Sequence, residues 1–280
     1  MQVRPAAVAG SWYPGSRGAL TREVDGYVAA VPDLPSLHVQ AVLSPHAGIM
    51  FSGPVAAYAY KAAAASAPYD VALLVGPSHF SAFEGVAVFQ GQAFESPLGL
   101  SPIDAAGVAT VTASPIVKIL AAPHAREHSL EMQLPFLRRL LPDVPIVPML
   151  MGFQRRETIL ELAEALAAAC AGRRALIVAS TDLSHYFDAA TAAALDHRVE
   201  ACVAALDPDG LLDLLEEYPE HERGRFVGCG AGPAVAVMMA ARTVGAREAR
   251  VLKYANSGDI SGDLSAVVGY LAAAMGTPVS

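Results

Sequence analysis

Short apolar runs recur along this chain, and each ends at a turn of small residues or proline. Ala41-Val42-Leu43, Val71-Ala72-Leu73-Leu74-Val75 and Ala175-Leu176-Ile177-Val178 are the clearest. Runs that do not alternate with polar residues fit strands buried on both faces, as in a parallel sheet. Val144 to Met149 adds a strand whose prolines mark its ends. Helical patterning falls at about 17–30, Gly53 to Ala65, Glu127 to Leu140, about 156–171, Thr191 to Leu206, Pro208 to Glu217 and Pro233 to Thr243. Pro233 is tolerated in a first turn, where its missing N–H has no intrahelical partner. Residues 84–103 predict a short hairpin, and strands near 248–254 and 265–271 close the chain. Strands alternating with helices predict an α/β fold, a single-domain sandwich around a central, mostly parallel sheet. No linker-like stretch or internal repeat divides residues 1–280.

Composition agrees with that frame and removes several functions. Of 280 residues, 54% are hydrophobic, much of that alanine, which suits helices packed closely on a sheet. Charged residues make up 16%, too few for long solvated segments. A net charge of −8 without any Lys/Arg run argues against a nucleic-acid partner. Cys170, Cys202 and Cys229 are odd in number and widely spaced, which fits a reducing, cytoplasmic setting rather than a disulfide framework. The N-terminus lacks a secretory signal pattern. The longest apolar helical stretch, Ala231 to Ala241, is roughly half of a bilayer span, so no membrane association is expected.

The polar chemistry sits at the ends of the apolar runs. His46 lies in Ser44-Pro45-His46-Ala47-Gly48, His79 in Gly76-Pro77-Ser78-His79, and His185 in Ser180-Thr181-Asp182-Leu183-Ser184-His185. Ligands of open α/β sheets collect outside the carboxyl ends of strands, so these imidazoles are expected in one pocket. Asp182 stands where it can orient His185; the alternative is an N-cap for a turn over Leu183–Tyr186. Cys229 is flanked by Gly228 and Gly230 just before an apolar helix, whose positive end favours thiolate. Cys170 and Cys202 read as small core residues. Glu127 and Glu131 of Glu127-His128-Ser129-Leu130-Glu131 fall on one face of a helix start. His38, His124, His197 and His221 have no comparable setting and read as surface or helix residues.

These segments together resemble the Memo family. In bacteria and archaea that family appears as the B component of the AmmeMemoRadiSam system. The resemblance rests on Arg4-Pro5-Ala6 through Gly10-Ser11-Trp12-Tyr13, the three histidine turns, Glu127-His128-Ser129-Leu130-Glu131 and Gly228-Cys229-Gly230. Tyr254-Ala255-Asn256-Ser257-Gly258-Asp259 and Val267-Val268-Gly269-Tyr270 extend it. It implies a fold similar to class III extradiol dioxygenases, in which two histidines and a carboxylate hold iron(II). By motif, His46 and His79 correspond to the histidine ligands, Cys229 takes the carboxylate's place, and His185 is the acid/base histidine. Trp12, Phe51, Glu127 and His128 are the implied substrate or partner pocket.

The expected function is therefore a metal-binding protein and redox enzyme using iron(II) or copper, with zinc as a third choice. Extradiol dioxygenase activity is not expected, because thiolate is a softer ligand than carboxylate. Two alternatives stand beside it: a non-catalytic module docking a peptide or protein in the cleft, and a hydrolase or transferase using Cys229 as nucleophile. AMMECR-type and radical SAM proteins of the same system are the partners that the resemblance implies.

Overall fold

The computed structural model describes residues 2–34 and 36–279. Its strands are β1 (Val3–Arg4), β2 (Leu37–Ser44), β3 (Val71–Pro77), β4 (Val86–Val88), β5 (Ala93–Ser96), β6 (Gly99–Pro102), β7 (Val117–Ile119), β8 (Ile146–Met151), β9 (Ala175–Ser180), β10 (His185–Phe187), β11 (Glu248–Asn256) and β12 (Val267–Pro278). The helices are α1 (Arg17–Ala30), α2 (Ile49–Ala65), α3 (Ala105–Val111), α4 (Leu134–Leu140), α5 (Arg156–Ala169), α6 (Ala189–Ala204), α7 (Pro208–Glu216), α8 (Arg223–Phe226), α9 (Ala231–Thr243) and α10 (Gly258–Ser261). Side chains of Ser16, Asp188 and Asp207 accept first-turn N–H groups and so start α1, α6 and α7.

The middle of the main sheet is parallel, in the order β2-β9-β3-β8. Antiparallel strands flank it: β12 beside β2 with β11 beyond, and β4 beside β8 with β7 parallel to β4. Alternate side chains feed two cores. Val71, Leu73 and Val75 pack with the helices α5 and α9, and Ala72 and Leu74 with α1, α2 and α4. Both faces are covered, so the strands read as continuous apolar runs. Each fully buried Val or Leu there contributes about 1.5–3 kcal/mol. The expected α/β sandwich with a central parallel sheet is what forms. Among the described residues, no helix is long and apolar enough to cross a membrane.

Four local expectations are corrected. Helix α2 begins at Ile49 rather than Gly53, carrying Pro54 inside it. The segment 84–103 is not one hairpin: Val86–Val88 joins the main sheet, and only β5 and β6 pair as a hairpin, beside β1. Glu127 precedes any helix; a 3-10 turn at Glu131–Gln133 leads into α4, so Glu127 and Glu131 share no helical face. The fourth concerns His124, which lies in a 3-10 turn (Ala122–His124) but is fully buried between Phe89 and Phe94 rather than at the surface.

His124 is enclosed because the N-terminal segment folds over it. Arg4, buried in β1, donates to the His124 carbonyl at 2.9 Å, pairs with the buried Glu131 and donates to the Glu127 carbonyl. Glu131 also accepts from Ala7 N (2.8 Å), Val8 N (3.0 Å) and Tyr13 OH (2.5 Å). His124 donates Nε2–H to the Ala87 carbonyl, while its Nδ1 has no partner among the described residues.

Burial, with Arg4 nearby, pushes the His124 imidazole down to about 4. The unfolded chain takes up this proton near pH 6.5, before the folded protein does. Stability therefore falls as pH drops from 6.5 towards 4, by about 3 kcal/mol from this group, and the slope ends below 4. His124→Gln, which keeps a donor for Ala87, is expected to lose that slope in urea titrations at pH 4–7.

Candidate metal centre

The carboxyl ends of β2, β3 and β9 and the start of α9 converge on one cleft of about 700 Å³. His46 follows β2, His79 follows β3, Asp182 and His185 follow β9, and Cys229 precedes α9. His46 is fully buried on the floor, His79 is partly exposed, and Cys229 is half-buried. The Cys229 Sγ lies 3.2 Å from His46 Nε2. One ligand atom from each of His46, His79 and Cys229 lies within 4.8 Å of the others, as donors to a single ion would with bonds of about 2.0–2.3 Å.

Buried partners decide which nitrogen each imidazole presents. Ser180 Oγ donates its single proton to the Ser129 carbonyl at 2.7 Å and accepts from Gln133 Nε2 at 2.8 Å. Gln133 is itself oriented, giving Nε2–H to Pro45 O at 3.1 Å and accepting from Tyr60 OH at 2.9 Å. His46 Nδ1, 2.8 Å from Ser180 Oγ, must therefore be a donor, which makes Nε2 the nitrogen that faces the thiol. Glu127 does the same for His79: its carboxylate accepts Nδ1–H at 2.9 Å. A histidine held this way by a carboxylate is a pre-oriented metal ligand.

The same carboxylates anchor the turns. Glu127 also accepts the backbone N–H groups of His79 (2.6 Å), His128 (2.8 Å) and Ser129 (2.9 Å). Asp182 accepts from His46 N (2.7 Å) and Ala47 N (3.3 Å). This corrects the expectation that Asp182 orients His185. His185 Nδ1 has no hydrogen-bond partner among the described residues, although Asp182, His185 and Cys229 form a second group of closely spaced ligand atoms. The capping alternative also fails, because His185–Phe187 is a strand rather than a helical turn.

Cys229 is held by two neighbours with little sequence signal. Gln154 donates to the Cys229 carbonyl at 2.6 Å and accepts from Gly232 N at 2.7 Å, tying the turn to the end of β8. A side chain at Gly230 would overlap the Ser180 carbonyl, and one at Gly228, where φ is +157°, would come within 2.7 Å of the Asp182 carbonyl. The glycines are there to let the thiol approach the end of β9.

Burial opposes the Cys229 thiolate, but the charge of His46 and contacts to His185, His46 and His79 hold the thiol well below its ordinary value. Burial likewise opposes the imidazolium of His79, yet Cys229 and Glu127 raise it to about 10. His185 rises to about 9 by contact with Cys229, against its burial. Burial opposes ionisation of Glu127 as well, but the His79 bond and charge bring it down to about 2. Thiol and imidazoles thus favour each other's charged forms, and a metal would displace the protons of the cluster.

His128, on the same loop as Glu127, stacks on His79 (4.5 Å) and packs at a tilt against Trp12 (4.2 Å). Burial, then the charges of His46 and His79, lower it to about 3, so it stays neutral. Trp12, Phe51 and His128 line the cleft. Glu127 instead lies behind it, bonded to His79 and the loop. Sequence reasoning missed Ser180, Gln133 and Gln154, and neutral residues distant along the chain leave no pattern to find.

The Memo-like protein family matches residues 4–274. A MEMO1 family protein of Methanothermobacter thermautotrophicus is 35% identical over 278 residues, covering 96% of this chain and 98% of that one. Another from Methanosarcina mazei is 37% identical over 275 residues, covering 97% and 98%. The chain belongs to the Memo family. A crystal structure of an uncharacterized protein from Escherichia coli K12 is similar in fold, with a TM-score of 0.58 at 15% identity, over 85% of this chain and 100% of that one.

Glu131→Gln would leave the buried Arg4 guanidinium without its counter-charge, at a cost of about 3–5 kcal/mol. The expected outcome is a lower urea midpoint together with a shift in emission of Trp12, the single tryptophan, as its segment loosens. An unchanged midpoint would show that Arg4 does not need Glu131.

Proposed function

We propose that this protein binds iron or copper through His46, His79 and Cys229 and works as a redox enzyme. One observation carries the reading: two imidazoles, each donating Nδ1–H to a buried partner, turn their Nε2 atoms towards one cysteine sulfur. The donor set fits a soft or borderline ion, with zinc the third choice. A bound iron or copper ion would supply one-electron chemistry. His185, beside the thiolate, would carry a proton to or from a molecule in the cleft, and Asp182 would keep the His46 turn rigid. Dioxygenase chemistry of the extradiol kind is not proposed, since Cys229 stands in place of a carboxylate. A reduced thiol suits a cytoplasmic location, and AMMECR-type and radical SAM proteins are the proposed partners.

The depressed thiol favours a second reading, a Cys229 nucleophile with His185 as base. Anaerobic reconstitution with iron(II), copper(I) or zinc(II) separates the two. About one ion per chain is expected in the wild type, with a thiolate-to-metal absorption band in oxidised iron or copper protein. Cys229→Ser should abolish the band, and His79→Ala should abolish retention. Wild type that stays metal-free while Cys229 alkylates rapidly would overturn the metal reading.

Glu127→Gln tests the support of His79. Metal affinity is expected to fall 10–100-fold, as for other partners of metal-bound histidines, measured by competition with a chromophoric chelator.

A further inference from the structure

The rim of the cleft differs from its floor. Above the imidazoles and the thiol, the walls are mainly apolar: Trp12, Met50, Phe51, Tyr186 and Val268. One permanently charged side chain lines them, Arg225 of α8. Its guanidinium lies over the Phe187 ring at 4.6 Å and the Phe226 ring at 5.7 Å. Phe226 stacks in turn on Tyr218 at 4.6 Å, so the cation rests on a packed aromatic shelf. Arg139, Arg155, Arg156, Arg198 and Arg242 are all in surface ion pairs. Among the described residues, the Arg225 guanidinium has no carboxylate partner and makes no hydrogen bond. Stacking occupies the face of a guanidinium and leaves its edge donors in one plane, the arrangement that receives a carboxylate through two parallel bonds.

The strand beneath Arg225, β10, carries a second unusual feature. Tyr186 has a φ of +63°, rare for an aromatic residue, at the irregular pairing of β10 with β12. Its side chain is 66% exposed, lines the cleft and meets His185 edge-on at 5.6 Å. Backbone held in this region is strained, and such strain clusters at ligand sites. Here it keeps an aromatic ring at the mouth.

We infer that the cleft takes a small organic carboxylate with a flat, apolar body, its anionic end held by Arg225 and its body between Trp12, Phe51 and Tyr186. The inference rests on the cleft above His46, His79 and Cys229 being the ligand site proposed above. A volume of about 700 Å³ is that of a small-molecule pocket. Arg225 makes the site discriminate by charge, because a neutral analogue leaves its donors to water.

Trp12 provides the measurement, since it is the single tryptophan and lies in the wall. Biphenyl-4-carboxylate and the neutral biphenyl-4-carboxamide would be titrated by quenching of its fluorescence, on metal-free and zinc-loaded protein. The carboxylate is expected to bind about tenfold more tightly than the amide. Arg225→Gln should remove that preference while leaving amide binding unchanged, which also reports an intact cleft. Arg225→Lys should restore part of it, and Arg126→Gln, at an arginine outside the cleft lining, should change nothing. Equal binding of the two probes by the wild type, or equal weakening of both by Arg225→Gln, would overturn the inference. Absence of quenching by either probe would overturn it too. The metal-free arm reads Arg225 even if no ion is retained, so a failure of the metal reading shows separately in the metal content.

Discussion

Backbone N–H groups that emerge from a parallel sheet at its carboxyl edge have no strand to pair with, and in this protein two buried carboxylates accept them. Glu127 takes the one that follows β3, that of His79, together with the His79 ring and two N–H groups of its own loop; Asp182 takes the two of the His46 turn. A buried, unpaired N–H costs about as much as a lost hydrogen bond, so the turns are rigid because they must be satisfied. The imidazoles inherit that rigidity. Their orientation follows from backbone pairing, and the chemistry of the floor follows from their orientation.

The N-terminal segment extends the same logic outward. Arg4 and Glu131 are buried together, and Glu131 gathers donors from Ala7, Val8 and Tyr13. Buried pairs are weak sources of net stability, but removing one partner is costly, so they hold a segment in one place. Here the segment held is the one bearing Trp12, which closes against His128. Floor and rim thus have separate supports: carboxylates under the ligand cluster, and the Arg4–Glu131 staple and the aromatic shelf under Arg225 around the mouth. Substitutions at the rim can change what enters without disturbing what the floor binds.

Much of this was legible along the chain, for a definite reason. A strand buried on both faces must be continuously apolar and must end where the chain turns, so His46, His79 and His185 announced themselves by position. Gly228-Cys229-Gly230 did so through the flanking glycines, which the close approach to Ser180 and Asp182 requires. His124 is a helix residue, in the 3-10 turn Ala122–His124, but not a surface one, because its burial depends on β1, more than a hundred residues away. Glu127 and Glu131 were read as one helical face, because spacing alone cannot show that each is taken by a different set of donors. Asp182 was assigned to the wrong histidine: His185 is three residues away in sequence, but the N–H groups of His46 and Ala47 are the ones within reach.

By itself, then, the chain determined the layered α/β architecture and the residue types gathered at one sheet edge, because periodicity and turn chemistry are local. Only the tertiary structure decided the tautomers of His46 and His79, the clamp of Gln154 on Cys229 and the isolation of Arg225 on its aromatic shelf. Each depends on a hydrogen bond, or on the absence of a counter-charge, between segments that meet only when the sheet and its helices have closed.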